Sequence, residues 1–287
     1  MTKLVFGCGY LGSRVARRWV AEGERVAAVT RSHDRVDALR RDGIEAVVAD
    51  VCRRESLREL PEAETVLVAI GYDRGGGSPR REVIVAGLRN VLSAVPNVQR
   101  LIYVSSTGVM GDHDGAWVDE TALCQPQREA GQVALEAERL LADHALAGRT
   151  VVLRLAGLYG PGRLPKLADI KSGRPVAAPE GAYLNLIHVD DAAAVVLAAE
   201  RCPRPGALYL VSDGSPTRHR EFYRELARQL GMGEVEFVAP EPGSRGAAAA
   251  LGNKRIDNRR MLDELGVKLR FGDYRPGLRA ILGPTHQ

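Results

Sequence analysis

The chain has 287 residues, 45% of them hydrophobic and 26% charged, which fits one large α/β domain or a domain carrying a smaller lobe. Its net charge of +4 comes from arginines interleaved with acids, as in Glu221 to Arg228, and aromatics make up only 5%, so neither a nucleic-acid-binding stripe nor a stacking platform for single strands is expected. No apolar run approaches bilayer-spanning length and the amino terminus enters a strand at Lys3, so the expected location is the cytoplasm, with no membrane partner.

The first strand, Leu4 to Phe6, runs straight into Gly7-Cys8-Gly9-Tyr10-Leu11-Gly12, and an apolar, arginine-rich helical pattern follows from Leu11 to Ala21. This is a dinucleotide fingerprint in its strand-turn-helix setting. Gly7 turns the chain, Gly9 lets the backbone approach a pyrophosphate without a Cβ in the way, and Gly12 allows close helix–strand packing. The phosphates then meet a helix N-terminus, where free N–H groups favour an anion.

The second strand, Arg25 to Thr30, ends at Arg31-Ser32. An acid there would repel a 2′-phosphate, whereas arginine offers a planar fork of donors, so NADP is expected over NAD unless Arg31 is only a solvated loop charge. A helix over His33 to Arg41 leads to the third strand, Glu45 to Val48, and to Asp50-Val51. Asp50 either accepts from an adenine amino group or caps the helix expected over Glu55 to Leu60. The fourth strand, Thr65 to Ala69, passes through Ile70-Gly71 to Tyr72-Asp73 and to the flexible stretch Gly75-Gly-Gly-Ser78, expected as a lid at the ligand edge. Cys8, Tyr10, Leu11, Ser32, Val51, Ala69, Ile70 and Gly71 complete the expected cofactor contacts.

A helix over Arg81 to Ala94, a strand over Arg100 to Val104, a helix over Arg128 to Ala147 and a strand over Thr150 to Leu155 continue the alternation. Right-handed crossovers then demand a doubly wound parallel sheet of the Rossmann type, with its ligand beyond the carboxyl ends of the strands. After Tyr159-Gly-Pro-Gly-Arg163 the rhythm becomes loop-rich. Residues 1–160 are expected to form the nucleotide domain, with 185–215 returning to it, and 161–184 with 216–287 to form a small, discontinuous substrate lobe. In that lobe, helices are expected over Arg218 to Leu230 and Asp257 to Leu265, with a Gly/Ala/Pro loop over Glu241 to Leu251. Cys8, Cys52, Cys124 and Cys202 are spread singly, which argues against a disulfide framework or a metal site.

Together with the glycine turn and Ala49-Asp50, the segments Tyr103-Val-Ser105-Ser106-Thr107-Gly-Val-Met110-Gly111, Leu153-Arg154-Leu-Ala-Gly-Leu-Tyr159-Gly-Pro-Gly-Arg163 and Ile187-His188-Val-Asp190-Asp191 resemble the extended short-chain dehydrogenase/reductase superfamily, the NAD(P)-dependent epimerase/dehydratase group. The resemblance runs through nearly the whole chain. It implies a Rossmann domain with a carboxyl-terminal lobe for a substrate that is often a nucleotide-sugar, and a homodimer formed through the helices near Arg81 to Ala94 and Arg128 to Ala147.

The resemblance also implies catalysis by a Ser or Thr after the fifth strand and by a Tyr with a Lys four residues later. Ser106 falls on the first position, where it either serves catalysis or satisfies the strand end. The pair is missing. Pro126, Gly131 and Glu138 hold the register of the helix, and Ala130 and Ala134 occupy the Tyr and Lys positions. No tyrosine in the chain has a lysine four residues on, and Tyr159 with Arg163 spans Pro161 and Gly162, which cannot form the helical turn. Loss of a positioned acid/base costs about 10²- to 10⁴-fold in rate. Met110 stands where similar proteins commonly carry Tyr.

Tyr72 and Asp73 directly after the fourth strand, and His113 and Asp114 in a loop that the resemblance implies borders the substrate, are the candidate replacement acids or bases unless they are only surface residues, while His188 and Asp190 read as a strand end leading into a capped helix. Two functions follow: an NADP(H)-dependent oxidoreductase or epimerase on a small or nucleotide-sugar-like substrate, with Ser106 and Tyr72 as its catalytic candidates, or a non-catalytic NADP(H) sensor. For the substrate, the lobe offers Arg163, Lys166, Arg174, Tyr183 and Asn185 without a decisive pattern.

Overall fold

The computed structural model describes residues 2–73, 75–202, 204, 206–241, 243–244, 247 and 251–283, so much of the loop at 241–251 lies outside the described residues. The chain divides into two compact units. Unit 1 comprises Met1–Ser106, Gln132–Arg154 and Ala193–Tyr209; unit 2 comprises Thr107–Gly131, Leu155–Ala192 and Leu210–Gln287. The sequence pattern groups Thr107–Gly131 with the nucleotide domain, but by contacts the segment packs in unit 2, where its short strand β6 (Trp117–Val118) pairs with a strand near the carboxyl end.

Strands β1 (Thr2–Phe6), β2 (Arg25–Thr30), β3 (Glu45–Val48), β4 (Thr65–Val68), β5 (Arg100–Ser106), β7 (Thr150–Leu155) and β12 (Leu208–Val211) form one sheet in the order β12-β7-β5-β4-β1-β2-β3. The pairings from β3 through β2, β1 and β4 to β5 are all parallel. The chain runs outward from β1 to β3, then crosses back to β4 on the other side of β1, so the order reverses between β1 and β4. A doubly wound sheet opens a crevice for its ligand at that reversal.

Near-continuous apolar runs make these strands two-faced. Every residue of β4 is buried, and so are Leu4, Val5 and Phe6 of β1. Helix α1 (Gly12–Ala21) packs through Gly12, Val15, Ala16 and Trp19, one helical stripe. A core cluster joins Phe6, Val68, Leu88, Leu92, Leu101, Val133 and Leu141. At the far end of the sheet, Glu200 accepts from Lys3 Nζ at 2.5 Å, Thr65 Oγ1 at 2.8 Å and Trp19 Nε1 at 2.8 Å, so the carboxylate that ends helix α6 (Val189–Glu200) is fully engaged.

Four expected helices are shorter than their patterns or open on a different turn. Over Glu55 to Leu60 there is only a 3₁₀ turn, Arg54–Leu57, because Leu57 alone is buried and Pro61 follows. His33 to Arg41 is a 3₁₀ turn, His33–Arg35, and then α2 (Val36–Arg41); Arg81 to Ala94 opens with a π turn, Glu82–Ala86, before α3 (Gly87–Ala94). Helix α4 (Glu129–Ala142) stops short of Ala147, where His144 Nδ1 instead accepts from Leu146 N–H at 3.2 Å.

In unit 2, α7 (His219–Gln229) and α9 (Tyr274–Leu282) pack on Tyr159 and Leu186 through Phe222, Leu226, Tyr274 and Leu278. The sequence gives α9 no clear signal, since Pro276 and Gly277 lie inside it. Pro276 tolerates a first turn, whose N–H groups need no helical partner. Gly277 is required for another reason: a Cβ there would stand 2.2 Å from the Tyr159 hydroxyl.

The sheet reversal makes Gly7 irreplaceable. Its φ is +91°, and a Cβ would stand 2.4 Å from the Ala69 carbonyl oxygen and 2.7 Å from Ile70 N. Gly7→Ala is expected to destabilise the protein by more than about 2 kcal/mol, because β1 and β4 must separate to admit the methyl group. Urea unfolding checks this; an unchanged midpoint would contradict it.

Candidate functional site

The end of β1 builds a cradle from backbone. Gly12 lies so close to Gly7 that a Cβ would meet the Gly7 carbonyl oxygen at 2.3 Å, which packs the start of α1 onto the strand. Gly9 N–H donates to Gly7 O at 2.8 Å and Ser13 N–H to Gly9 O at 3.0 Å, closing the turn. Gly9 itself is exposed, and a Cβ on it would meet no atom within 4 Å. The first turn of α1 carries no acid and no side-chain cap, so the positive end of its dipole is left without a side-chain counter-charge, while Arg14 N–H is spent on Leu11 O at 3.0 Å. An open glycine before an uncapped helix N-terminus at the sheet reversal fits a dinucleotide pyrophosphate.

The neighbouring strand ends complete this face of unit 1. Arg31 is exposed at the end of β2, and Ser32 Oγ accepts from Asp34 N–H at 3.2 Å, which leaves its own proton free to donate. Arg35, one helical turn further on, donates from Nη2 to Cys8 O at 2.6 Å and so ties the glycine turn to the β2–α2 connection. Arg35 is the residue that the sequence reading misses, although an arginine four positions after Arg31 was a visible signal. Burial pushes the Cys8 thiol up, so Cys8 contributes its carbonyl rather than a thiolate. Arg14 donates to Tyr10 O at 2.7 Å and lies over the Tyr10 ring, bracing the turn from the helix side.

Asp50 Oδ1 accepts from Cys52 N–H at 3.0 Å, a local turn; the 3₁₀ turn that follows has no side-chain cap. Val51 is buried against Gly87, and its carbonyl accepts from Asn90 Nδ2 at 2.8 Å, so its side chain serves the core. Ala69 N–H donates to Phe6 O at 2.8 Å, and Ile70 and Gly71 carry the chain past the turn. Tyr72 is half-buried beneath the Arg80 guanidinium, 4.1 Å from its ring centroid. In the loop after Tyr72, Asp73 holds Gly75 N–H at 2.9 Å, and a Cβ on Gly76 would stand 3.5 Å from Arg31 Nη1. The glycine-rich stretch therefore lies beside the arginine that ends β2.

Ser106 is exposed at the end of β5, whereas its neighbour Ser105 is buried and donates to Glu138 at 2.5 Å. Glu138 also receives Arg154 Nη2 at 2.7 Å and Nε at 3.1 Å. This buried trio fixes α4 against β5 and β7. In unit 2, Gly131 packs so tightly that a Cβ would stand 2.5 Å from Gly108 O and 2.7 Å from Pro126 Cβ. Helix α4 thus keeps its structural anchors, Gly131 and Glu138, while Ala130 and Ala134 present methyl groups where the resemblance implies a phenol and an ammonium.

Within unit 2 the loop after β5 is strapped to the segment around β15 (Arg255–Ile256). His113 and Gly115 N–H both donate to Asn253 O at 3.0 Å, and Lys254 Nζ donates to Gly111 O at 2.9 Å and Gly252 O at 3.2 Å. Asn185 joins the same strap by donating to Lys254 O at 2.9 Å and accepting Ile256 N–H at 2.8 Å. His113 Nε2 lies 3.0 Å from Met110 O, within its own loop, and Asp114 adopts a positive φ in a tight turn. Tyr159 is fully buried, which pushes its phenol up, away from acid/base work. His188 packs between Tyr159 and Phe271, and its Nδ1 accepts Asp190 N–H at 3.2 Å, the structural role expected for it.

No group of residues able to hold a metal ion occurs among the described residues, nor does any helix long and apolar enough to cross a membrane. A Rossmann sheet with an open glycine turn at its reversal defines a dinucleotide-binding protein. The sequence profile of the NAD dependent epimerase/dehydratase family matches residues 4–210, and the chain belongs to that family. It is 30% identical to Protein YeeZ of Escherichia coli K12 over 278 residues, 94% of this chain and 96% of YeeZ. It is also 30% identical to the 4-hydroxy-2-methyl-3-oxo-4-farnesyl-3,4-dihydroquinoline-1-oxide ketoreductase of Stigmatella aurantiaca over 265 residues, 86% of this chain and 78% of that enzyme. A solved structure of a conserved protein of unknown function from Silicibacter pomeroyi is 33% identical, with a TM-score of 0.81 over 98% of this chain and 97% of that one.

Lys254 gives the strap a pH signature. Burial lowers its pKa to about 8 from 10.5, so the fold favours the neutral amine and the unfolded chain binds the proton more strongly between those values. Stability from this group is therefore complete above pH 10.5 and falls as pH drops toward 8. Lys254→Met is expected to remove about 2–3 kcal/mol of that pH dependence. Urea unfolding of both proteins across the window checks it; parallel stability profiles would contradict it.

Proposed function

We propose that the chain is an NADP(H)-dependent oxidoreductase acting on a carbonyl or hydroxyl group of a small molecule. The observation that carries this reading is the cationic end of β2. Arg31 ends the strand and lies beside Gly76, and Arg35, one turn on, is bonded to Cys8 O of the glycine turn, with no Asp or Glu at the residue ending the strand. Two guanidiniums at the ribose end of a dinucleotide site favour a 2′-phosphate over a bare hydroxyl. Membership of the epimerase/dehydratase family supports the redox class, and the ketone reduction named for the Stigmatella relative supports carbonyl chemistry.

A bound nicotinamide supplies or takes up the hydride. The chain's own part is to place and protonate the substrate. Ser106, exposed at the end of β5, donates a hydrogen bond to the substrate oxygen and polarises it. Tyr72, held at the end of β4 by stacking with Arg80, is the hydroxyl in unit 1 assigned to proton transfer in place of the absent pair. Ala130 and Ala134 leave turnover slow, by about 10²- to 10⁴-fold against an enzyme with a positioned acid/base. The helices bearing Arg81 and Glu136, which form a bidentate pair at 2.6 to 3.0 Å, are the proposed faces of a homodimer.

NADPH is expected to bind at least about tenfold more tightly than NADH, and Arg31→Ala to remove most of that preference. Fluorescence titration of both cofactors reads this, and equal affinities in the unaltered protein would reject NADP. Ser106→Ala is expected to lower turnover of a test ketone by about 10²-fold or more with NADPH affinity unchanged. Turnover indifferent to that change would remove Ser106 from the mechanism, and tight binding with no turnover on any carbonyl tried would favour a nucleotide sensor.

A further inference from the structure

The lobe candidates named from sequence are mostly engaged. Lys166 and Arg174 pair with Asp169 at 3.3 and 2.9 Å, and Asn185 spends its amide on the backbone of residues 254 and 256. Tyr183 is different. The Arg218 guanidinium lies 4.3 Å and the Arg255 guanidinium 5.0 Å from its ring centroid, and Arg255 also lies 5.2 Å from the ring centroid of Trp117, a residue that is 52% exposed.

This ladder is built on backbone pairing. Trp117 is the direct register partner of Arg255 across the β6–β15 pair, and Tyr183 is the partner of Arg218 across β10 (Tyr183–Leu184) and β13 (Thr217–Arg218). Tyr183 N–H donates to Asn253 Oδ1 at 2.9 Å, joining the two ribbons. Four side chains are thus set in one row by strand register, at cation–π distances.

Among the described residues, backbone and hydroxyl oxygens, not carboxylates, receive the charges in this row. Arg255 donates from Nε to Gly115 O at 2.8 Å, and Arg218 donates to the Gly181 carbonyl and, at 3.4 Å, to the Tyr183 hydroxyl. Neither guanidinium has a carboxylate partner among the described residues, whereas Arg228, Arg259, Arg260 and Arg275 in the same unit each have one. Two half-buried cations on one tyrosine ring, beside an exposed indole, are the arrangement that a planar ring with an attached phosphate would complete. Such a ring would cover Trp117 and its dianion would accept from the two guanidiniums.

We propose that unit 2 holds, on Trp117, Arg255, Tyr183 and Arg218, a binding site for a phosphorylated aromatic compound. Calling that compound the substrate rests on the oxidoreductase reading; the binding site itself does not. The test uses phenyl phosphate, with phenol and inorganic phosphate as its two halves, titrated into protein saturated with NADP⁺. Trp117 fluorescence is the readout, because the other tryptophan, Trp19, is fully buried in unit 1. Phenyl phosphate is expected to quench it and to bind at least about fivefold more tightly than either half, with Arg218→Gln and Arg255→Gln each weakening it about fivefold or more. In calorimetry, Trp117→Ala is expected to bring phenyl phosphate down to the affinity of inorganic phosphate. Phenyl phosphate no tighter than phosphate, or tight binding that survives Trp117→Ala, overturns the proposal while leaving NADP⁺ binding intact. Failure of NADP⁺ to bind instead counts against the proposed function alone, and the same titration without nucleotide then still decides this site.

Discussion

The contact on which unit 1 depends is between two stretches of backbone: the turn after β1 lies against the carbonyl of Ala69 at the end of β4. Only a residue without a Cβ and with access to positive φ can occupy Gly7, and Gly12 must be equally bare for α1 to start where it does. This squeeze brings the sheet reversal, the helix dipole and the open face of Gly9 to one place. The apolar strands make the sheet, but the two glycines decide that its crevice ends in N–H groups rather than side chains. Arg35 then secures the turn through the Cys8 carbonyl, so a cation from the β2–α2 connection also supports the cradle.

Unit 2 is held by a different kind of force. Its strands are two or three residues long, too short to carry much ladder energy, and side-chain amides and one buried amine do the joining. Asn253, Asn185 and Lys254 collect backbone groups from the post-β5 loop and from the carboxyl-terminal segment. Asp191 does the same by accepting Arg270 N–H at 2.8 Å and Phe271 N–H at 2.9 Å. Buried polar groups of this kind are costly to leave unpaired, so the partners specify one arrangement of loops that hydrophobic contact alone would leave open.

The fold was legible because its signals are local and periodic. The glycine turn sits directly after a strand, and the β-branched runs recur at crossover spacing, so the sheet and the tight turn at its reversal follow from short-range pattern. What the sequence concealed depends on distant pairs. The affiliation of Thr107–Gly131 with unit 2 turns on a two-residue strand pairing and on Asn253 and Lys254, far along the chain. Helix α9 carries a proline and a glycine whose reason, the Tyr159 hydroxyl, lies more than a hundred residues earlier. The row from Trp117 to Arg218 is invisible in sequence for the same reason, as its four members come from four separate segments. Arg31 was readable in sequence as the residue at a strand end, while the bond of Arg35 to Cys8 needed the geometry that turns it back to the glycine turn.

The central claim, that the bare backbone at Gly9 exists to admit a phosphorylated dinucleotide, separates cleanly from the needs of the fold. Gly9 has no unusual φ and no neighbour that a Cβ would strike, so Gly9→Val is structurally permitted where Gly7→Ala is not. The decisive measurement is calorimetric titration of Gly9→Val with NADPH beside a urea unfolding curve. The account predicts an unfolding midpoint close to that of the unaltered protein, with NADPH affinity reduced by about 10²-fold or more. Unchanged NADPH affinity in a folded Gly9→Val protein would contradict it.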